Sequence, residues 1–298
     1  MTTTTARYIN LFTDFGFKKL FGEEPNKDLL ISFLNELLEK ENRITDLSYL
    51  KNEQLGQHEG ERRAVYDLYC TNQKGEKFIV EIQRAKQEYF KDRSVYYSTF
   101  AIQEQATKGR QWQYELKGVY TIAVMDFVFD SQDTDKIEHR IKLMDTQTHR
   151  VFYDKLTFIY LEVPKFDKQL SELETDYERW LYAFKNLHRL SDRPKELQAG
   201  VFQKLFELAE IARLDDRDRA VYQESLKDYW DLKSAMDTYY KEGLEEGREE
   251  GREVGREEGE KKKAQDMARK ALEKGLTVEL IIELTGLSQE EIEALKGG

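Results

Sequence analysis

The segment of residues 64–86, AVYDLYCTNQKGEKFIVEIQRAK, constrains the fold more than any other part of the chain. It contains two runs rich in aromatic and β-branched residues, and these flank the turn-forming sequence Asn72-Gln73-Lys74-Gly75-Glu76. A three-residue loop with glycine in the left-handed third position is a common hairpin connection. With Gln73, Lys74 and Gly75 as this loop, Asn72 faces Glu76, and the register of the whole hairpin follows.

One face of this predicted hairpin carries only apolar side chains. Because side chains alternate between the two faces of a strand, this face belongs against the protein core. The pairs on it are Tyr66 with Ile82, Leu68 with Val80, and Cys70 with Phe78.

The opposite face of the hairpin brings two acidic residues together. Val65 pairs there with Gln83 and Tyr69 with Ile79. Asp67 stands directly opposite Glu81, with their Cβ atoms about 5 Å apart, and like charges in this arrangement are destabilising. A divalent cation removes the repulsion, because two carboxylates, a backbone carbonyl and waters form a hard-oxygen site suited to Mg²⁺ or Mn²⁺. The alternative is a solvent-facing side of the sheet, where polar residues occur without any ligand.

The sequence around the hairpin predicts helices and strands in mixed order. Thr13 or Asp14 can cap a first helical turn, and Pro25 and Asn26 open an amphipathic helix. A longer helix is predicted from about residue 89 to Gly109. Strands are predicted near 46–53, 64–71, 77–84, 118–129, 137–144 and 157–163. This order predicts an α/β fold with a mixed central sheet flanked by helices.

The remainder of the chain is predicted to be helical, with runs at about 171–189, 195–212 and from 216 onward. The predicted divisions are an α/β domain at 1–168 that contains the hairpin, a helical region at 169–240, a charged glycine-repeat segment at 241–263 and a small helical tip at 264–298. Glycine recurs at every fourth position of the repeat segment, at Gly243, Gly247, Gly251, Gly255 and Gly259. Each glycine inside a helix costs about 1 kcal/mol relative to alanine. The segment is therefore either a solvated linker or lone helix, or a helix through which the chain forms a homo-oligomer.

The last residues resemble a helix-turn-helix in shape. Gly275 is a predicted C-cap, Thr285 and Gly286 form a turn, and Ser288 with Glu291 forms a capping box. The second helix, SQEEIEALK, carries three glutamates where DNA phosphates would lie. A packing or oligomerisation element is therefore favoured over DNA reading.

Composition narrows the class of protein. The chain has 298 residues, one cysteine and a net charge of -11, with no apolar run long enough to span a membrane and no visible signal peptide. These features predict a cytoplasmic protein without a disulfide framework. The acidity argues against a protein that coats nucleic acid generally. Residues 84–117, however, carry seven basic and four acidic side chains, so a local contact with DNA is compatible with the composition.

Asp67, followed on the next strand by Glu81-Ile82-Gln83, resembles the PD-(D/E)XK nuclease superfamily, with Gln83 in place of the usual lysine. The wider sequence is similar to the Rpn family of recombination-promoting nucleases, which are also labelled transposases. The similar segments include TDFGFKKLFGEEPNKDLLISFLNELL, YDLYC, FIVEIQRAKQEYFKDRSVYYSTFAIQEQATKG and TGLSQEEIEAL, so the resemblance covers essentially the whole chain.

The resemblance implies a metal site and its catalytic residues. Asp67 and Glu81 match the metal-binding acids, and the backbone carbonyl of Ile82 completes the coordination. Mg²⁺ is the expected metal, with Mn²⁺ and Ca²⁺ as alternatives. Gln83 takes the place of the catalytic lysine, and Asp14 matches an acidic position in the first helix, where its alternative role is that of an N-cap.

Replacement of lysine by Gln83 removes a fixed positive charge, which either the metal, Lys18 or Lys86 would then supply. In the helix after the site, Arg93 and Tyr97 lie one turn apart and can face a bound strand, and Gln105 lies two turns further on. The implied activity is that of a metal-dependent DNA endonuclease that promotes recombination in a mobile-element or defence context. The alternative is an inactive nuclease fold that serves as a protein-interaction or oligomerisation module.

Overall fold

A computed structural model describes residues 6–38, 42–54, 64–106, 113–129 and 135–296 of the chain. The chain divides into two compact units, Met1–Lys233 and Ser234–Gly298. The finer division into four segments stays a prediction.

The first unit contains a mixed six-stranded sheet with strand order β1-β4-β5-β6-β8-β7. The strands are β1 (Leu47–Tyr49), β2 (Glu53–Gln54), β3 (Ala64–Val65), β4 (Leu68–Asn72), β5 (Lys77–Gln83), β6 (Val119–Met125), β7 (Glu138–Met144) and β8 (Val151–Glu162). Strands β5, β6 and β8 are parallel to one another, whereas β1, β4 and β7 join the sheet by antiparallel pairing. Strands β2 and β3 form a separate antiparallel pair. The predicted α/β class with a mixed central sheet is confirmed.

Helices precede, interrupt and follow these strands. They are α1 (Asp14–Phe21), α2 (Lys27–Leu37), α3 (Phe90–Gln103), α4 (Asp176–Asn186), α5 (Val201–Ala209), α6 (Asp216–Glu273), α7 (Val278–Thr285) and α8 (Gln289–Lys296). Helix α3 ends before the predicted Gly109, which lies outside the described residues. Within the described residues, no helix is both long enough and apolar enough to cross a membrane.

Two predicted helices are shorter than the periodicity indicated. The prediction of one helix over 171–189 is wrong, because Thr175 caps α4 by accepting a hydrogen bond from the backbone N of Glu178, so the helix starts only at Asp176. The prediction over 195–212 is wrong for a related reason: Gly200 adopts a φ of 59°, which no helix continues through, and α5 begins at Val201. Short 3₁₀ turns occupy parts of the remaining residues of both segments.

The sheet is covered on both faces. On one face, helices α1, α2, α4 and α5 pack an aromatic cluster that includes Phe21, Phe33, Trp180 and Phe184, all buried. The rings of Phe21 and Phe184 are stacked with centroids 5.7 Å apart. On the other face, helix α3 contributes Ala101 to a smaller cluster. The face covered by α3 is the one that carries Glu81, because Val80 and Ile82 belong to the first core.

The hairpin of β4 and β5 has the predicted register over its closed end. Tyr69 pairs with Ile79, Cys70 pairs with Phe78, and Gly75 has a φ of 80° in the loop. The register continues as predicted only as far as the pair of Leu68 with Val80.

Beyond Leu68 the hairpin opens, and the predicted position of Tyr66 is wrong. Tyr66 packs in the cluster on the α3 face, where its ring centroid lies 5.1 Å from that of Tyr69. The alternation fails because the backbone N of Tyr66 donates to the carbonyl of Asn52, 2.9 Å away, rather than continuing the ladder with β5. Asp67 therefore lies in the short break between β3 and β4.

The glycine-repeat segment is helical. Helix α6 runs without interruption through Gly243, Gly247, Gly251, Gly255 and Gly259. A Cβ atom added at any of these glycines would meet no described atom within 4 Å. The prediction of a helix is confirmed for this segment, and the alternative of a solvated linker is wrong. Formation of a homo-oligomer through this helix stays a prediction.

The helical tip folds as its capping signals predict. Gly275 and Gly286 have φ values of 74° and 70°, as expected for helix C-caps. Ser288 and Glu291 form both bonds of the capping box, with the backbone N of each donating to the side chain of the other at 2.9 and 3.2 Å. The buried residues of this small core are Ala268, Ile281, Leu287 and Ile292.

Candidate active site

The candidate site lies where the parallel strands β5 and β6 end. Gln83, the last residue of β5, pairs with Met125, the last residue of β6. Glu81 and Gln83 occupy alternate positions on the α3 face of β5, and each is only 7% exposed. Helix α3 begins at Phe90, after a short connecting turn, and its Arg93 contacts Gln83.

Asp67 reaches the site because the hairpin opens. With β4 starting at Leu68, the backbone N of Ile82 has no ladder partner in the preceding strand, and it donates instead to Oδ2 of Asp67 at 2.8 Å. The carbonyl of Asp67 in turn accepts a hydrogen bond from the side-chain amide of Asn52 at 2.9 Å. The Asp67 carboxylate is thus fixed beside β5 by the backbone of the residue that follows Glu81.

The charge of Asp67 disfavours ionisation of Glu81. Burial and the negative charge of Asp67 together raise the pKa of Glu81 to about 7, against the lowering effects of the Arg93 charge and of the hydrogen bond from Gln83. Burial likewise raises the pKa of Asp67, and the hydrogen bond from the backbone of Ile82 opposes this effect. Ionising both groups in this buried place is unfavourable unless a positive charge joins them.

Gln83 connects Glu81 to the positively charged side chain of Arg93. Its side-chain Nε2 donates to Oε2 of Glu81 at 2.9 Å. Its Oε1 accepts a hydrogen bond from Nη2 of Arg93 at 2.8 Å. Arg93 also donates from Nη1 to the side chain of Gln87. Arg93, Gln83 and Glu81 therefore form a hydrogen-bonded row along the floor of the site.

These side chains surround a cavity of about 260 Å³, hereafter the carboxylate cavity. Its polar and aromatic walls are formed by Asp67, Glu81, Gln83, Arg84, Gln87, Arg93 and Tyr97. Ile82 and, from helix α6, Leu232 also line it. The volume is sufficient for a metal ion with waters and one phosphate group.

The structure brings together six of the residues that the sequence singled out. Asp67, Glu81, Ile82, Gln83, Arg93 and Tyr97 all line the carboxylate cavity. The ring of Tyr97 lies beside Arg93, with the guanidinium carbon 5.9 Å from the ring centroid.

Asp14 and Lys18 stand at the edge of the site. They form an ion pair at 2.7 Å on helix α1, and neither lines the carboxylate cavity. Their charges still act on Asp67: Lys18 lowers the pKa of Asp67, and Asp14 raises it. The interpretation of Asp14 as an N-cap is wrong, because the hydroxyl of Thr13 accepts the capping hydrogen bond from the backbone N of Gly16.

Two predicted contacts lie away from the cavity. Lys86 is exposed and is not one of the residues that line it. The side chain of Gln105 bonds main-chain atoms, donating to the carbonyl of Ala101 at 3.0 Å and accepting from the backbone N of Lys117 at 2.7 Å. Gln105 thereby ties the end of α3 to the segment before β6.

Sequence reasoning missed Arg84 and Gln87, which line the carboxylate cavity in the turn between β5 and α3. The charge of Arg84 lowers the pKa of Asp67. The signal for Arg84 was its place directly after Gln83, at the carboxyl end of a strand, where parallel sheets place their functional loops.

The donor set fits a magnesium-type ion. Within the described residues, no three or more His, Cys, Asp or Glu side chains are gathered as a metal-binding group. Mg²⁺ does not require such a group, since it keeps several waters and is commonly held by one or two carboxylates together with phosphate oxygens. The half-buried carboxylate of Asp67 and the buried carboxylate of Glu81, whose pKa the charge of Asp67 raises, provide this ligand set.

Comparison with known families gives two matches. A model of the PD-(D/E)XK nuclease family transposases matches residues 11–239, which include the whole carboxylate cavity. A model of the C-terminal HTH domain of the Rpn/YhgA-like nuclease family matches residues 261–297. Searches of curated proteins and of solved structures found no significant match.

Proposed function

The chain belongs to the PD-(D/E)XK nuclease family transposases, and on that basis we propose that it is a metal-dependent DNA endonuclease. The observation that carries this proposal is the pair formed by the half-buried Asp67 and the buried Glu81 near the end of β5, in which burial raises the pKa of both carboxyls and the charge of Asp67 raises the pKa of Glu81 as well. A divalent cation is the ligand that relieves this arrangement, with Mg²⁺ expected and Mn²⁺ or Ca²⁺ as alternatives.

Asp67, Glu81 and the carbonyl of Ile82 hold the metal in this proposal. When bound, the ion lowers the pKa of a coordinated water and neutralises charge on the phosphate that is attacked. The protein keeps one oxygen of each carboxylate fixed: the backbone of Ile82 holds Oδ2 of Asp67, and Gln83 holds Oε2 of Glu81. The remaining oxygens, Oδ1 of Asp67 and Oε1 of Glu81, are the proposed ligands.

Arg93 and Arg84 provide the positive charge that a lysine supplies in related nucleases. Arg93 contacts Gln83 directly, and Arg84 follows Gln83 in the chain and lines the same cavity. A guanidinium group matches phosphate oxygens in two-point geometry, so both side chains are suited to hold the phosphates on either side of the cut. Tyr97 packs beside Arg93 and restricts its position.

The proposed product is a broken DNA strand, and such breaks promote recombination between DNA segments. A mobile-element or defence role follows from that activity. Cys70 is buried and unpaired, in agreement with a reducing cytoplasm as the place of action.

A second candidate is a nuclease fold that has become an interaction module. The exposed, charged length of α6 between residues 239 and 263 favours it, since a long solvated helix offers a surface to a partner. The two candidates differ in whether the carboxylate cavity is needed for activity.

A plasmid-cleavage assay separates these candidates. Supercoiled DNA is incubated with Mg²⁺, Mn²⁺ or Ca²⁺ and with the wild-type protein, Asp67→Asn or Glu81→Gln. We expect the wild type to nick or linearise the plasmid and each variant to be slower by at least about 100-fold, since both remove a metal ligand. Asp154→Asn, at an exposed position on β8, is the matched control and keeps wild-type activity. Intact plasmid with every metal, or cutting by Asp67→Asn and Glu81→Gln at the wild-type rate, contradicts the endonuclease proposal.

A further inference from the structure

A second cavity adjoins the carboxylate cavity at the start of helix α3. Its volume is about 400 Å³, and three tyrosines, Tyr89, Tyr96 and Tyr97, form its aromatic wall. Glu88, Asp92 and Arg93 supply the charged part of its lining. Gln87, Arg93 and Tyr97 line both cavities, so the two spaces adjoin at these residues. This second space is hereafter the tyrosine cavity.

Two of the three rings are exposed to solvent. Tyr89 is 67% exposed and Tyr96 is 43% exposed, and neither belongs to a core cluster of the described residues. Tyr97, by contrast, packs edge-on against the buried ring of Tyr66, with centroids 5.5 Å apart. Tyr97 is therefore anchored to the core. Tyr96 packs edge-on against Phe100, with ring centroids 5.2 Å apart, and the exposed parts of the Tyr89 and Tyr96 rings offer surface to a ligand.

The charges of the tyrosine cavity select the kind of ligand. Glu88 and Asp92 are two carboxylates against the single guanidinium of Arg93, so the lining repels a phosphate. Carboxylates do accept hydrogen bonds from the amino groups on the edges of nucleobases. Aromatic side chains stack on the faces of bases of any sequence. The lining thus suits the base of a nucleotide and not its backbone.

Arg93 lies where the two cavities meet. Its guanidinium bonds Gln83 on the side of the carboxylates and lies 5.9 Å from the ring centroid of Tyr97 on the other side. A nucleotide whose phosphate contacts Arg93 has its own base within reach of the tyrosines. One strand can therefore occupy both cavities at once.

We propose that the tyrosine cavity binds an unpaired nucleobase of the DNA strand held at Asp67 and Glu81. This inference rests on the proposed nuclease function and names its substrate class: DNA with unpaired nucleotides next to the cut, such as a bulge, gap or flap. In an intact duplex both faces of each base are covered by its neighbours, so a ring platform can engage only a base that has left the stack.

A binding experiment with the full-length chain tests the subsite. All proteins carry Asp67→Asn, which stops the proposed cleavage, weakens the repulsion of phosphate and keeps an oxygen to accept the bond from Ile82. The probes are a labelled duplex and the same duplex with a bulge of unpaired adenines, one of them 2-aminopurine. We expect the bulged DNA to bind at least about tenfold tighter and its 2-aminopurine fluorescence to be quenched by stacking.

Paired variants show whether the tyrosine rings are responsible. Tyr89→Ala combined with Tyr96→Ala is expected to abolish both the preference and the quenching, whereas the corresponding Tyr→Phe pair keeps them, because phenylalanine still stacks. The control is Tyr114→Ala, at a tyrosine that is 79% exposed and precedes β6, at the end of that strand opposite the site. Equal binding of both DNAs, including no binding to either, or a preference that survives the double alanine variant, overturns the proposal.

The subsite and the nuclease activity fail in different ways. Plasmid cleavage by the chain with native Asp67, together with equal binding of paired and bulged DNA, removes the tyrosine subsite and leaves the endonuclease proposal intact. A tyrosine-dependent preference for bulged DNA, together with no plasmid cleavage under any metal, supports the tyrosine subsite and removes the endonuclease proposal.

Discussion

Arg93 donates a hydrogen bond to the side-chain oxygen of Gln83, with Nη2 and Oε1 2.8 Å apart. Gln83 passes this contact on to Glu81 through its amide nitrogen, at 2.9 Å. A positive charge therefore acts at the position where related nucleases carry a lysine, although it comes from a helix and through a neutral amide. Sequence reasoning looked to Lys18 or Lys86 for this charge, and neither of them lines the carboxylate cavity.

Arg93 variants test this relationship. We expect Arg93→Ala to slow plasmid cleavage by about 100-fold, because a hydrogen bond to a charged group contributes about 1.5–3 kcal/mol and each 1.36 kcal/mol is a factor of ten in rate. Arg93→Lys is expected to fall between wild type and alanine, since lysine keeps the charge but cannot reach Gln83 and Gln87 with one rigid fork. Initial rates of nicking at saturating Mg²⁺ provide the measurement.

The control for Arg93 is Lys91→Ala. Lys91 lies on the same helix, with its amino group 4.9 Å from the ring centroid of Phe129, and outside the carboxylate cavity. Wild-type rates for Arg93→Ala, or an equal loss in Lys91→Ala, would show that Arg93 has no specific part in cleavage.

Glu81 is expected to make the stability of the metal-free protein depend on pH. Its pKa of about 7 in the folded protein lies above the ordinary 4.5, so between these values the folded state holds more protons than the unfolded state. The free energy of unfolding therefore falls as pH rises from about 4.5 to 7, by an amount on the order of 3 kcal/mol, and levels off above pH 7. The raised pKa of Asp67 acts in the same direction.

Urea unfolding in EDTA at pH 5 and at pH 8 measures this effect. Glu81→Gln is expected to lose most of the difference between the two pH values, since glutamine does not titrate. Added Mg²⁺ is expected to raise the stability of the wild type at pH 8 more than that of Glu81→Gln, because only the wild type keeps both carboxylate ligands. Identical pH dependence in the two proteins would contradict the assigned cause.

The hairpin shows how far local sequence determines the fold. The loop from Gln73 to Gly75 and the pairing of Cys70 with Phe78 were predictable, because turn chemistry and alternation are properties of neighbouring residues. Tyr66 was misplaced because its strand bonds Asn52, a residue from a separate segment, and a change of partner resets the alternation. Such a non-local bond leaves no periodic signal in the sequence.

The site was predictable to a similar extent. Glu81 and Gln83 share one face of β5 as alternation predicts, and Arg93 lies one turn from Tyr97 on α3. Asp67 was expected opposite Glu81 in the ladder, but it lies in the break before β4 and reaches the cavity through its bond to the backbone of Ile82. Arg84 and Gln87 lie in the connecting turn, where no periodicity tells which side chains turn inward. In a turn with basic residues at 84 and 86, only the fold decides that the first lines the cavity and the second is exposed.

Thr13 and Asp14 are expected to differ in what they contribute. Thr13→Ala removes the capping bond to the backbone N of Gly16 and should lower the free energy of unfolding by about 1 kcal/mol. Asp14→Asn should cost less stability, because the exposed ion pair of Asp14 with Lys18 and its interaction with the helix dipole are each weak. Chemical denaturation measures both. If Asp14→Asn slows cleavage while Thr13→Ala does not, Asp14 acts at the site. If Asp14→Asn cleaves at the wild-type rate, Asp14 has no part in cleavage.

Asp126 is expected to keep the start of α6 against the sheet. Its carboxylate accepts a hydrogen bond from the hydroxyl of Tyr229 at 2.7 Å and forms an ion pair with Lys233 at 2.8 Å. Asp126→Ala leaves the buried hydroxyl of Tyr229 without this acceptor, which costs about 1–3 kcal/mol. Cleavage should fall as well, because Leu232, between the two anchoring residues, lines the carboxylate cavity.

Asp228→Ala is the matched control for Asp126, since Asp228 is an exposed acid on the same helix. Thermal unfolding and nicking rates are compared for the two variants. Equal effects of both substitutions, or a loss of stability without any change in cleavage, would show that the contacts of Asp126 with α6 do not influence the carboxylate cavity.

Alanine substitutions at the repeated glycines are expected to stabilise α6. A Cβ at Gly247 or Gly251 meets no described atom within 4 Å, so alanine fits without strain and gains about 1 kcal/mol of helix propensity per site. The double variant should retain more helical signal on heating, measured by far-ultraviolet circular dichroism, with cleavage unchanged.

Sedimentation equilibrium tests the alternative role of the glycines, because helices that approach closely through them would be pushed apart by added methyl groups. A weaker self-association of the double variant would therefore mean that the glycines are retained for contact between copies, and an unchanged association state would mean that they are not.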